Sequence, residues 1–117
     1  MSIKIFKTKI SRDEMLVLAK EMYVDMVKGV VDLRQRIVAL GGELHADCER
    51  VLLEQGSKQE NLWGFNIYVD RPQDSRLEYT SMINIRPRQG NLQREVQDPK
   101  IRQEIKEIID EMVTPNA

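Results

Sequence analysis

Gly29-Val30-Val31-Asp32-Leu33-Arg34-Gln35-Arg36-Ile37-Val38-Ala39-Leu40 is the stretch whose reading decides the fold. Val30, Leu33, Ile37 and Leu40 continue the helical rhythm of the preceding residues, which suits one long helix closed by Gly41-Gly42. The same residues also divide into two short strands, 30–33 and 37–40, around Arg34-Gln35-Arg36. Glycine beside two β-branched valines makes a poor helix interior. The hairpin is therefore the preferred reading, although its turn lacks the Asn-Gly or Asp-Gly pair of a tight hairpin.

Upstream, Ser11 and Glu14 form a capping box, with Ile10 and Met15 at the staple positions. Met15, Leu18, Ala19, Met22 and Met26 recur at helical spacing and predict a helix over 12–27. Downstream, a shorter helix is expected over 47–55, with Gly56 as its left-handed cap. Trp63, Phe65, Ile67 and Val69 then alternate with Gly64, Asn66 and Tyr68, the period of a strand with one apolar face. Arg71-Pro72-Gln73-Asp74-Ser75 reads as a turn. A second alternating run, 77–86, carries Leu77, Tyr79, Ser81, Ile83 and Ile85 on one side. Pro87 ends it, and 88–91 is a loop. Asp98-Pro99 opens a closing helix with stripe Ile101, Ile105, Ile108, Ile109 and Met112, stopped before Pro115. The order α-β-β-α-β-β-α implies an α+β fold, an antiparallel sheet of about four strands with three helices covering one face.

The 117 residues match the usual size of one domain, roughly 100 to 150 residues, so 1–117 is read as a single domain. Hydrophobic content of 41% with 32% charged residues is that of an ordinary globular chain. No apolar run approaches the roughly 18 residues of a membrane span, and the N-terminus lacks the apolar stretch of a signal peptide. With Cys48 the only cysteine there is no intrachain disulfide, and a reducing cytoplasm is the expected compartment. Eighteen Lys and Arg against nineteen Asp and Glu leave no global basic excess of the kind that drives non-specific nucleic-acid binding.

Several blocks are familiar in combination: Val30-Val31-Asp32, Gly41-Gly42-Glu43-Leu44-His45-Ala46-Asp47, Gly56-Ser57-Lys58-Gln59, Leu62-Trp63-Gly64-Phe65-Asn66 and Ile83-Asn84-Ile85-Arg86-Pro87. Together they resemble a family of small prokaryotic proteins of unknown function, over roughly residues 27 to 110. The resemblance implies a prokaryotic domain and carries over no catalytic role.

Glu43, His45 and Asp47 alternate, so on an extended segment all three project to one side. An imidazole and two carboxylates there suit a divalent metal such as manganese, zinc or iron. On a helix they spread over about 200° and do not converge. The plainer reading makes Asp47 a helix cap and ties Glu43 and His45 to the glycine turn. Cys48, in the first helical turn, has His45 three residues before it, the outline of a thiolate–imidazole pair; a lone cysteine at an apolar helix position also simply packs.

The second candidate is the polar side of the sheet: Asp32, Asn66 and Asn84, with Arg86, Arg88 and Asn91 adding guanidinium forks and a turn suited to carboxylate or phosphate. The plain alternative is a solvated face, common in antiparallel sheets. Trp63 offers a stacking surface but alternates like a core residue. The leading functional expectation is thus a binding or interaction module holding an anionic ligand or a partner protein on the sheet face and the 86–91 loop. The alternative is a metal-dependent hydrolase centred on Glu43, His45 and Asp47. The third is a nucleic-acid-associated regulatory protein, which needs Arg34, Arg36, Arg71, Arg88 and Arg94 to converge. Two copies could also pair through the exposed sheet edge as a homodimer.

Overall fold

The computed structural model describes residues 3–114, so Pro115, expected to stop the last helix, lies outside the described residues. The deciding stretch is a hairpin. Strands β2 (Met26–Asp32) and β3 (Ile37–Gly41) pair antiparallel, with Asp32 opposite Ile37. The Asp32 side chain supplies the turn chemistry that the sequence lacks in glycine. Its Oδ1 accepts from the backbone N–H groups of Arg34 and Gln35 at 2.9 and 3.0 Å, while the Asp32 carbonyl accepts from Arg36 N–H. Arg36 closes the turn with a left-handed φ of 55°. An aspartate that bonds backbone two and three residues onward replaces the usual Asn-Gly pair.

The full sheet has five antiparallel strands in the order β1-β3-β2-β4-β5, with β1 at Ile3–Phe6, β4 at Leu62–Tyr68 and β5 at Leu77–Glu78. Strand β1 adds one to the four expected from sequence; four residues are too few for periodicity to register. Helix α1 (Arg12–Met22) begins at the predicted capping box, both of whose bonds are present. It stops short of the expected 27. Tyr23 and Val24 return their N–H groups to Ala19 O at 3.0 and 2.7 Å, and Val24 adopts φ 70°. That conformation is rare for a β-branched residue and incompatible with a continuing helix. Met26, read from sequence as helical, instead pairs with Tyr68 at the start of β2.

Helix α2 (His45–Glu54) begins two residues before the predicted 47, and its cap position is Leu44, which offers no side-chain bond. Asp47 therefore sits inside the first turn rather than at the cap. Helix α3 (Pro99–Met112) starts as expected, Asp98 accepting from Lys100 N–H at 2.8 Å. Its buried Ile105, Ile108 and Ile109 each contribute about 1.5–3 kcal/mol by leaving water.

The helices do not share one face of the sheet. Met15, Leu18 and Ala19 of α1 pack with the α3 stripe against Val27, Val31, Val38, Leu40, Trp63, Phe65 and Ile67. On the opposite face Cys48 and Leu52 of α2 pack on Val30, Ile37, Ala39 and Leu62, with Ile3, Ile5 and Ile83 at the margin. Leu62 to Ile67 are buried on both sides, so the polar face expected of β4 is not an open solvated surface.

The predicted strand 77–86 is also shorter. After Glu78 the chain leaves β4: Ser81 N–H donates to Arg94 O at 3.1 Å and Val96 N–H to Tyr79 O at 2.9 Å. A 3-10 turn, Met82–Asn84, then folds over β4. Gly64 permits the approach, since a Cβ there would lie 2.6 Å from Ser81 Cβ. The alternation in 77–85 reflects side chains sent to different places. Leu77 and Tyr79 go to the α1–α3 core, Ile83 goes to the α2 side, and Ile85 is exposed. Among the described residues no helix is long and apolar enough to cross a membrane.

Candidate functional site

The polar residues singled out in sequence are mostly buried, and their atoms serve the architecture. Asp32 is fully buried; beyond its turn bonds, Oδ2 accepts from Ser57 Oγ at 2.6 Å. Asn84 is fully buried and acts as a surrogate strand. Its Oδ1 accepts from Gly64 N–H at 2.8 Å, while Nδ2 donates to Gly64 O at 3.0 Å and Arg94 O at 3.1 Å. The amide thus supplies the donor and acceptor that β5 would offer if it continued. Asn91 does the same for its own hairpin: Nδ2 donates to Asn84 O, Gln93 O and Glu95 O, and Oδ1 accepts from Gln97 N–H.

Arg86 is directed inward. Nε donates to Ile83 O at 3.0 Å and one terminal nitrogen donates to Gln59 O at 2.7 Å. The other faces Glu49 of α2 at 3.6 Å, and the guanidinium lies over the Trp63 ring, 4.8 Å from its centre. Burial lowers its pKa, and the Glu49 carboxylate opposes that shift. These bonds fasten the 82–89 segment to the end of β4 and to α2, leaving little of the fork for an external anion. Arg88 is exposed beside an open groove shared with Gln59, Ile85, Pro87 and Gln89.

Glu43, His45 and Asp47 are not brought together. Glu43 is exposed, and its carbonyl accepts from Tyr23 OH at 2.7 Å. Asp47 lies 3.7 Å from Arg50. Among the described residues no group of three or more His, Cys, Asp or Glu side chains is placed to hold a metal ion. The physical reason is helical: His45 and Asp47 both lie within α2, where alternation no longer aligns side chains. Cys48 is fully buried, donates to Gly41 O at 3.2 Å and has its thiol pushed up to about 12 by burial, with Asp47 adding to the shift. It packs and does not act as a thiolate.

The arginines proposed for nucleic acid do not form one patch. Arg34 and Arg36 stand in the β2–β3 turn beside the Leu62 end of β4, and Arg71 follows the opposite end. The seven residues of β4 separate these positions by about 20 Å at roughly 3.3 Å per residue. Arg36 is moreover paired with Glu111 at 2.8 Å, and Arg71 stacks on Tyr68, 3.8 Å from the ring centre.

One polar region of the sheet remains open, at the N-terminal end of α2. A cleft of about 150 Å³ is lined by Lys28, Leu44, His45, Ala46, Ser81, Met82 and Ile83. Its position follows from register. Lys28 of β2 lies directly across from Asn66 of β4, and Asn66 in turn faces Glu78 of β5. These three lie on the α2 side of the sheet, beyond the point where Val30 and Leu62 fill the space beneath the helix. The turn that aims α2 at this spot needs Gly42, at φ 79°, where an added Cβ would meet Ile3 Cγ1 at 2.9 Å.

His45 forms the inner wall. Its Nε2 lies 2.8 Å from Phe65 O and donates to it, which leaves Nδ1 as the bare nitrogen of the neutral ring. Burial lowers the imidazole pKa; the Phe65 carbonyl and the Asn66 amide pull upward, while Lys28 pushes further down. Asn66 donates through Nδ2 to Glu78 Oε1 at 2.7 Å, which fixes the orientation of its amide. Asn66 Oδ1 is fully buried, in a residue only 7% exposed, with the His45 ring beside its amide. Among the described residues Lys28 has no carboxylate within ion-pair distance, and its ammonium lies 5.2 Å from the centre of the Tyr23 ring. Leu44 and Met82, respectively 52% and 62% exposed, form apolar lips. Sequence reading named Asn66 and His45 but missed Lys28. The signal was a lone charge between Val27 and Gly29-Val30-Val31, inside what proves to be a central strand.

No curated protein and no solved structure was found to match the chain. One family model, described as a protein of unknown function (DUF5674), matches residues 4–112, and the chain belongs to that family.

Proposed function

We propose that this protein is a binding module that holds an anionic group in the cleft at the start of α2. The observation that carries the reading is the coincidence of two positive features on one concavity. Lys28 is half-buried and lacks a carboxylate partner among the described residues, and the first turn of α2 has no side-chain cap. Uncapped N–H groups at a helix start carry partial positive charge and bind carboxylate or phosphate oxygens directly. A lysine on a central strand, walled by Leu44 and Ile83, interacts with an anion in a lower dielectric than an exposed lysine does.

The reading keeps the anion-binding expectation from sequence but moves it from the arginine loop to Lys28, with His45 in the wall of the cleft. The test is a titration of the isotopically labelled protein with phosphate and with acetate, following backbone amides. Saturable, millimolar shifts at His45 and Ala46, lost in Lys28→Met, are expected; the Asp47 N–H is already bonded to Leu44 O. If the His45 and Ala46 amides stay unmoved by both anions, the reading falls.

A further inference from the structure

We infer that the open edge of strand β1 pairs antiparallel with the same strand of a second copy of this chain, joining the two sheets across a two-fold axis.

β1 stands at the end of the sheet order, so one row of its backbone N–H and C=O groups has no strand beside it among the described residues. Such an edge is a template for another strand. Alternation sends Phe6 to the α1 side, together with Lys4, and Ile3 and Ile5 to the α2 side. On the α1 side lies a groove of about 230 Å³ lined by Lys4, Phe6, Asp13, Glu14, Val17 and Leu18. Its walls come from β1 and α1 and not from β3, so it opens over the outer side of the edge. Val17 is 57% exposed on the helix wall. Asp13 and Glu14 have no cation within ion-pair distance among the described residues. The groove therefore suits a strand whose side chain has an apolar stem and a positive head.

β1 is itself such a strand, and pairing rules select one register. Residues directly opposite each other in an antiparallel pair share a face of the sheet. Two symmetric registers overlap most of the four residues of β1: Lys4 opposite the partner's Lys4, or Ile5 opposite the partner's Ile5. The first sets like charges directly across from each other, which is destabilising. The second pairs isoleucine with isoleucine and sets the partner's Lys4 opposite Phe6. Opposite Cβ atoms lie about 4.5–5.5 Å apart. The partner's Lys4 stem then covers Phe6, and its ammonium extends toward Asp13 and Glu14. Two-fold symmetry makes the contact twice. The same pairing covers Ile3, Ile5 and Phe6, which the free edge leaves only half-buried.

The experiment is sedimentation velocity of the whole chain from micromolar to submillimolar concentration, with backbone amide shifts recorded over the same range. The mass should rise from 13.7 kDa toward twice that value, with concentration-dependent shifts at the amides of residues 3–6. Lys4→Glu and Asp13→Lys change exposed side chains, so both variants should stay folded by Trp63 emission. Each alone should associate at least tenfold more weakly than wild type. An equimolar mixture of the two should recover most of the lost affinity, because each chain then meets an opposite charge at both contacts. Wild-type protein that stays monomeric at every concentration overturns the inference without recourse to any variant. A dimer indifferent to both substitutions, or one whose β1 amides do not move, places the interface elsewhere and overturns it too. A mixture that associates no more tightly than either variant alone removes the register and the inference with it.

Discussion

Replacing Asn84 by alanine isolates what holds the 79–97 segment to the sheet. The amide makes three hydrogen bonds at a fully buried position, two to Gly64 and one to Arg94 O. Truncation leaves Gly64 N–H and Gly64 O without these partners, while Arg94 O keeps the bond from Ser81 N–H. A buried group left unsatisfied costs about 1–3 kcal/mol. The small hole admits some water, so the lower end applies to each of the two Gly64 groups, giving a loss of about 2 kcal/mol. For a chain of this size that corresponds to a fall in Tm of roughly 6–10 °C. Trp63, the sole tryptophan and almost fully buried, reports unfolding in urea or on heating. Asn84→Asp separates packing from hydrogen bonding. The carboxylate still accepts from Gly64 N–H but confronts two carbonyls, so this variant should be at least as unstable at neutral pH. It should recover part of the loss in acid, where a protonated carboxyl donates once. A loss under about 1 kcal/mol for Asn84→Ala, with an unperturbed native spectrum, would refute the surrogate-strand account.

Arg86→Ala should destabilise the fold by about 3 kcal/mol, because it strands the buried Glu49 carboxylate and frees Ile83 O and Gln59 O; urea unfolding with a near wild-type midpoint would contradict its role as an internal tie. His45 makes stability pH-dependent. Its pKa is lowered below the ordinary 6.5, so the unfolded chain binds more protons in the window just below that value. Stability is therefore complete above 6.5 and declines as pH falls toward the folded-state pKa. Urea midpoints across that range should show the slope in wild type and a flatter profile in His45→Gln. Cys48, buried and with a thiol held near 12, should react with a disulfide reagent only as fast as the protein opens; labelling within seconds under native conditions would show that the thiol is accessible.

The local rules written into the chain were enough for several elements. Ser11 with Glu14, and Asp98 with Pro99, announce helix starts because a cap is a contact between near neighbours. Trp63, Phe65, Ile67 and Val69 announce a strand because period two belongs to extended backbone. The hairpin around Arg34-Gln35-Arg36 was legible, over 30–40, from the unsuitability of Gly29-Val30-Val31 for a helix. The candidate site was legible only in pieces. Asn66 and His45 stand out as polar residues among apolar ones, but nothing in linear order says that Lys28 lies across from Asn66 or that α2 begins above them.

What the sequence determined by itself is the α+β class, the principal caps and the apolar stripes, all set by interactions spanning a few residues. Tertiary structure alone decided where the first helix stops, which face each helix covers and what the polar residues do. Met26 fits either a helix or a strand until Tyr68 is available to pair with it. Asn84 and Arg86 looked like a ligand surface until the carbonyls of Gly64, Arg94, Ile83 and Gln59 came within reach. A buried hydrogen bond is made with whatever partner the fold delivers, and all of these partners but Ile83 lie 10 to 27 residues away in sequence, beyond the reach of any local pattern.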